Sequence, residues 1–194
     1  MADESTFRTH IQSIVTAYLQ RFPDETDRLA HFDSYLKTTP ADIRDRKNMD
    51  GHLTAGALIV DVTTHRLLLI HHRFLNRMLQ PGGHVDPGEM PRQAALREAY
   101  EEVGPYPYEL HSIDPDTDIP VDLNVHPIPA NAAKQESEHF HFDFRYILKV
   151  QGSDWVKLQH AEVTDFEWVD IGELASSNRV PGLSLAVAKL QHIL

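Results

Sequence analysis

The run from Gly83 to Pro105 constrains this chain more than any other segment. Glu98, Glu101 and Glu102 stand at i, i+3 and i+4, a spacing that places all three on one face of an α-helix. Like charges at that spacing destabilise a helix, so the segment gains from the arrangement only if a cation sits among the carboxylates. Pro81-Gly82-Gly83 leads into the segment. Pro91 suits a first helical turn, where its missing N–H has no partner to lose, and Gly104 suits a helix exit. The spacing predicts a glycine loop and then a helix over Pro91–Val103. Together they make a site for a hard divalent ion, which takes oxygen ligands and leaves room for substrate phosphates. The plainer alternative is a solvated acidic helix face.

The same residues carry a family likeness. Gly83, Glu89, Arg97, Glu98, Glu101, Glu102 and Gly104 stand at intervals that resemble the complete box of the Nudix hydrolases. The family commonly has aliphatic residues where Ala99 and Pro105 stand here. Neither position carries charge, and Pro105 fits just past a helix that stops at Gly104.

The resemblance implies an α/β (α+β) fold, a mixed sheet between helices, over about His52 to Leu194. It implies metal ligation by Glu98, Glu101 and Glu102 together with a backbone carbonyl of Gly82 or Gly83. The implied cofactor is Mg²⁺, with Mn²⁺ as the alternate. It makes Glu89 and Arg97 a bracing pair that orients the ligands from behind. It also implies hydrolysis of a pyrophosphate linkage, in a nucleoside diphosphate joined to another moiety. That chemistry needs a base, and the family places it either in the box, here Glu101, or in a later loop, here Glu162. Glu136 and Glu138 are weaker rivals. The alternatives are a non-catalytic ligand-sensing or scaffold module on the same fold, and an isopentenyl diphosphate isomerase. The isomerase relies on a cysteine, and this chain has none.

Before the box, Ile11, Ile14, Val15, Tyr18, Leu19 and Phe22 recur at helical spacing, as do Leu29, Phe32, Tyr35 and Leu36. They predict a helical hairpin in an N-terminal extension (1–48) ahead of the Nudix-like domain (49–194). Its apolar stripes must be buried, either on the chain's own core, as a lid over the substrate, or in a homodimer contact. Leu53 to Val62 reads as a strand buried on both faces and Leu67 to Ile70 as a second. Further strands are predicted over Glu109–Ile113, Val121–His126, Phe140–Val150 and Val163–Val169, with a helical turn at Ile171–Ala175 and a closing helix at Ser184–Ile193.

Strict alternation in His139-Phe140-His141-Phe142-Asp143-Phe144-Arg145 sends the phenylalanines to one face and the polar residues to the other. The polar face is expected to line the cleft, with His139, His141 and Arg145 toward substrate and Arg145 on a phosphate. Arg73, ahead of the box, is a further candidate for substrate charge. A second metal site joining His126 to His139 and His141 is the less favoured alternative. Tyr106, Tyr108 and Trp155 suit either base stacking or loop packing.

A net charge of −11 disfavours long nucleic acids, whose binding needs many cationic phosphate contacts. A small phosphorylated metabolite or nucleotide remains compatible, because a metal and a few arginines dominate the local field. The absence of cysteine fits a reducing compartment, and the N-terminus lacks the apolar core of a signal peptide. A cytoplasmic location and no membrane span are therefore expected.

Overall fold

The computed structural model describes residues 4–111, 118–159, 161–177, 179–180 and 182–194. Two helices come first, α1 (Glu4–Arg21) and α2 (Thr26–Thr38), joined by a 3₁₀ turn at Pro23–Glu25. Then follow β1 (His52–Asp61), β2 (Arg66–His72), β3 (Arg77–Leu79), β4 (Gly82–His84) and α3 (Pro91–Val103). The chain closes with β5 (Glu109–His111), β6 (Asp122–Ile128), β7 (His139–Val150), β8 (Val163–Asp170), α4 (Ile171–Ser176) and α5 (Ser184–Ile193). The strand expected over Glu109–Ile113 thus begins as β5, and its last two residues lie outside the described ones.

All eight strands form one mixed sheet centred on β1. One edge of β1 pairs in parallel along its whole length with β7, from His52↔His141 to Asp61↔Val150. Its other edge is shared by two short antiparallel partners, β4 at the start (Thr54↔His84) and β2 at the end (Val60↔Leu67). Every residue of β1 is buried, which explains its near-continuous apolar run.

Alternation along β1 then separates two layers. Leu53, Ala55, Phe142 and Phe144 face α1 and α2, while Ala57, Ile59, Leu68 and Ile70 meet Ala99 and Val103 of α3. Leu58, Val60, Leu67, Leu69 and Ile147 face α4 and α5 on the other side. The sheet is therefore sandwiched between helices, as the sequence leads one to expect.

The N-terminal stripes are buried inside the chain. Phe32 stacks on Phe142 with centroids 4.4 Å apart, and Ile11, Tyr18, Leu29 and Leu36 share one core cluster with Leu53 and Phe144. Of the three alternatives, burial on the chain's own core is the one these contacts fit: both stripes cover the sheet. At the sheet's edge the Tyr18 hydroxyl donates to Glu25 (2.7 Å), and Lys189 of α5 donates to the same glutamate (2.6 Å). This contact ties the hairpin to the C-terminal helix. No helix among the described residues is long and apolar enough to cross a membrane.

Candidate active site

Helix α3 begins and ends where the sequence predicts. The Met90 N–H donates to the Gln93 side chain (2.8 Å) and so caps the first turn. Gly104 ends the helix at φ +96°, a conformation side-chain-bearing residues rarely adopt. Ala94, Ala95, Ala99 and Val103 bury the inner face, and that orients Glu98 and Glu102 toward β4.

The glycine segment is not the loop that was expected. Gly82 and Gly83 lie in β4, paired against Gly56 and Ala55. The three residues of β4 are too few to show a strand's periodicity, so the glycines conceal the strand. The pairing sets the carboxylate cluster directly against the sheet. The Gly82 N–H donates to a Glu102 carboxylate oxygen (2.9 Å). A Cβ placed on Gly83 would lie 2.2 Å from Glu98 Oε1, so the space a side chain would fill is filled by the Glu98 carboxylate.

Arg97 braces this cluster. Its Nε and Nη2 donate to the two oxygens of Glu89 (2.9 and 3.1 Å), and Nη2 also donates to the His84 carbonyl (2.8 Å). Nη1 donates to Glu98 (2.8 Å) and Glu101 (3.0 Å). A bidentate arginine–carboxylate pair fixes geometry as well as charge, so loop, strand and helix are clamped together.

Burial pushes the Glu102 carboxyl up to about 8, and the charges of Glu98, Glu162 and Glu101 add to the effect against the opposing Gly82 hydrogen bond. Glu98 is also raised, first by burial, with Arg97 opposing and Glu101 and Glu162 adding. A buried carboxylate and a half-buried one that repel each other are what a divalent ion relieves. A divalent ion fits this donor set: carboxylate oxygens on α3, with no softer donor among them.

Glu101 is exposed on the outer side of the same face, 58% accessible. Glu162 is exposed just ahead of β8. Its backbone carbonyl accepts from the Arg73 N–H (2.7 Å), so Arg73 and Glu162 lie side by side. The structure therefore brings Glu98, Glu101, Glu102 and Glu162 into one field, with Arg73 beside it.

Other expectations are corrected. Arg145 is 4% exposed and ion-paired to Asp122 and Asp143, each at 2.9 Å. Its charge is neutralised within the fold, so the phosphate role is set aside. Sequence alternation gave the face correctly but not the burial, because the partner Asp122 comes from another strand. Tyr106 and Tyr108 pack on Trp155, with centroids 4.6 and 5.5 Å away, which is the loop-packing alternative.

The histidines do converge, in a different set from the less favoured alternative of His126, His139 and His141. His52, His84 and His141 bring ring nitrogens within 4.8 Å of one another. His139 and His126 flank them, with centroids 5.2 and 5.5 Å from His141. His139 is buried, and its Nδ1 lies 2.8 Å from the Ser137 carbonyl. Burial and neighbouring imidazoles lower His141 to about 2 and His84 to about 4. No sequence spacing could reveal this set, because its members meet only through the pairing of β1, β4 and β7.

Fold and site together define a Nudix hydrolase. The NUDIX domain model matches residues 50–189, and the chain belongs to that family. It is an enzyme that acts on diphosphate linkages, and the family works with divalent metal ions. A relative in Lactococcus lactis subsp. cremoris (strain MG1363), described as a probable DHNTP pyrophosphohydrolase, is 31% identical over 146 residues, 75% of this chain and 79% of that protein. Among solved structures, a NUDIX-family hydrolase from Clostridium perfringens superposes with a TM-score of 0.57 at 22% identity, covering 74% of this chain and 98% of its own. The dihydroneopterin triphosphate pyrophosphohydrolase of E. coli gives 0.55 at 18% identity, covering 72% and 92%. At those identities the two structures speak to the fold.

Proposed function

We propose that this chain is a Mg²⁺-dependent pyrophosphohydrolase whose substrate is a small metabolite bearing a di- or triphosphate, in the first instance a nucleoside diphosphate joined to another moiety. The observation that carries this reading is the interlock of Glu98 with Gly83 and of Glu102 with the Gly82 N–H. It serves an oxygen-ligand ion and has no evident use in packing.

Glu98, Glu101 and Glu102 would hold the ion, together with a backbone carbonyl of Gly82 or Gly83. Mg²⁺, when bound, supplies Lewis acidity and offsets phosphate charge. Arg97 and Glu89 hold the glutamates in position and stay off the substrate. Glu162 is the base that takes a proton from the attacking water. It is exposed and free to reorient, and its charge already reaches Glu98 and Glu102. Arg73, on the turn beside Glu162, is placed to meet an outer phosphate.

A second substrate reading, a pterin triphosphate, is favoured by the name of the Lactococcus lactis relative. One panel decides between them: nucleotide sugars, dinucleoside polyphosphates, nucleoside triphosphates and dihydroneopterin triphosphate, each with Mg²⁺, with products resolved by chromatography. Turnover of the first two groups supports the nucleoside-diphosphate reading, and selective turnover of the pterin supports the second. Glu162→Gln should lower kcat by ~10²–10⁴-fold with little change in Mg²⁺ dependence. An effect below about fivefold would transfer the base role to Glu101.

A further inference from the structure

We infer that His52, His84 and His141 form a second metal site, separate from the box glutamates, which takes a borderline transition-metal ion of the Zn²⁺ class. The three residues come from three paired strands. His52 and His141 are directly opposed across β1 and β7, and His84 sits on β4 opposite Thr54. The sheet's own hydrogen bonds therefore fix their spacing. Ring centroids are 5.0 Å apart for His52–His84, 4.7 Å for His52–His141 and 5.5 Å for His84–His141.

The tautomer of His52 is set from outside the cluster. Its Nδ1 lies 3.2 Å from the Asn48 carbonyl. A carbonyl can only accept, so Nδ1 carries the hydrogen and Nε2 the lone pair. That Nε2 is buried and has no hydrogen-bond partner among the described residues. An unpartnered acceptor costs about 1–3 kcal/mol in a buried position. A ring whose far nitrogen is tied to a backbone carbonyl is the arrangement by which proteins orient metal-binding histidines.

The donor chemistry selects the ion. Neutral imidazoles suit Zn²⁺, Cu²⁺, Ni²⁺ and Fe²⁺, whereas Mg²⁺ demands oxygen. The nearest carboxylate on this face of β7, Asp143, is already engaged by Arg145 and Thr54. In a tetrahedral zinc site, with Zn–N near 2.0–2.1 Å, neighbouring nitrogens stand roughly 3.4 Å apart. A set now within 4.8 Å closes on an ion by small ring rotations, without moving strands. Three protein ligands leave a fourth position for water or an anionic oxygen.

Cobalt(II) is the probe, because it takes the same ligands and its visible spectrum reports a tetrahedral nitrogen environment. The full chain is titrated with Co²⁺ in excess Mg²⁺, which holds the box. One equivalent should bind with a tetrahedral spectrum, be displaced by Zn²⁺, and persist in Glu102→Gln. His141→Gln and His84→Gln should each weaken binding by more than ~100-fold, with melting curves confirming that both remain folded. Paramagnetic broadening of imidazole NMR signals in the unsubstituted protein locates the ion without relying on any variant. Broadening of His52, His84 and His141 supports the site. No tetrahedral spectrum, loss of binding in Glu102→Gln with retention in the histidine variants, or broadening that spares these three rings would overturn it.

Discussion

Gly82 and Gly83 are neighbours, yet a methyl group on each meets a different kind of obstacle. On Gly82 the new Cβ would lie 2.6 Å from the Ala55 carbonyl oxygen and 3.0 Å from the Gly56 Cα. Both are backbone atoms of the central strand, and neither can yield without opening the β1–β4 ladder. On Gly83 the nearest atoms are Glu98 Oε1 at 2.2 Å and Cδ at 2.6 Å, the far end of a side chain that can swing away. Gly82→Ala should therefore behave as an overpacked core position and cost about 1–3 kcal/mol. Gly83→Ala should leave stability within roughly 1 kcal/mol of the wild type.

Activity of Gly83→Ala should fall although its stability does not. Ordinary contact with a Cβ begins near 3.4 Å, so Oε1 must retreat by roughly 1 Å, whereas metal–ligand distances hold within about 0.2 Å. A displacement of that size costs on the order of 10²-fold in rate, and it should also raise the Mg²⁺ concentration for half-maximal activity. The assay is pyrophosphate-bond hydrolysis titrated with Mg²⁺, beside urea unfolding of the same samples. A Gly83→Ala enzyme with unchanged rate and Mg²⁺ dependence would refute the placement of Glu98 as a ligand. A large loss of stability would refute the claim that its carboxylate, and not the fold, occupies that space.

Three further outcomes are expected. Glu102→Gln should abolish turnover, and its metal-free form should gain stability with rising pH relative to wild type. The folded pKa of about 8 lies above the unfolded value near 4.3, so the wild-type contribution is full below ~4.3 and lost as pH rises toward 8. Melts without metal should thus nearly coincide at low pH and diverge at high pH, and equal curves at both would contradict the assigned shift. Arg145→Met should cost roughly 3–5 kcal/mol by removing the ion-pair partner of buried Asp143 and the closest of those of buried Asp122, while kcat of the folded fraction stays near wild type. A rate loss in fully folded protein would restore Arg145 to the substrate. Deleting residues 1–48 should give an insoluble or strongly destabilised chain, because Phe142 and Phe144 lose their cover. A stable, active truncation on size-exclusion chromatography would show the hairpin to be an appendage.

Much of this architecture is legible in the sequence because its signals are local. The box helix is bounded by Pro91 and Gly104, and α5 by its apolar spacing, so both fall where periodicity places them. What escapes is set by pairing between distant segments. Arg145 reads as a cation on a polar strand face, and only β6, which brings Asp122 opposite it, turns it into a buried ion pair. Gly82 and Gly83 read as a loop, and only β1 shows them to be a strand.

The central strand also explains how one sheet can serve two sites. Residues of β1 alternate in direction, so Ala55 lies under the box at Gly83, while His52 and Thr54 face the opposite layer. Two adjacent residues of β4 therefore belong to different chemistry: Gly83 to the carboxylates of α3, His84 to the imidazoles. Slipping β4 by one residue would exchange those faces and bring an imidazole into the space that Glu98 now fills. Arg97 opposes that slip, since it holds the His84 carbonyl with the same guanidinium that holds Glu89 and Glu98. The bracing arginine thus fixes strand register as well as ligand orientation. Arg97→Lys, which keeps charge but loses the planar fork, should disturb both sites together: a fall in hydrolysis accompanied by weaker Co²⁺ binding in excess Mg²⁺. If hydrolysis falls while Co²⁺ binding is untouched, Arg97 orients the glutamates alone and the register of β4 is held by β1 without it.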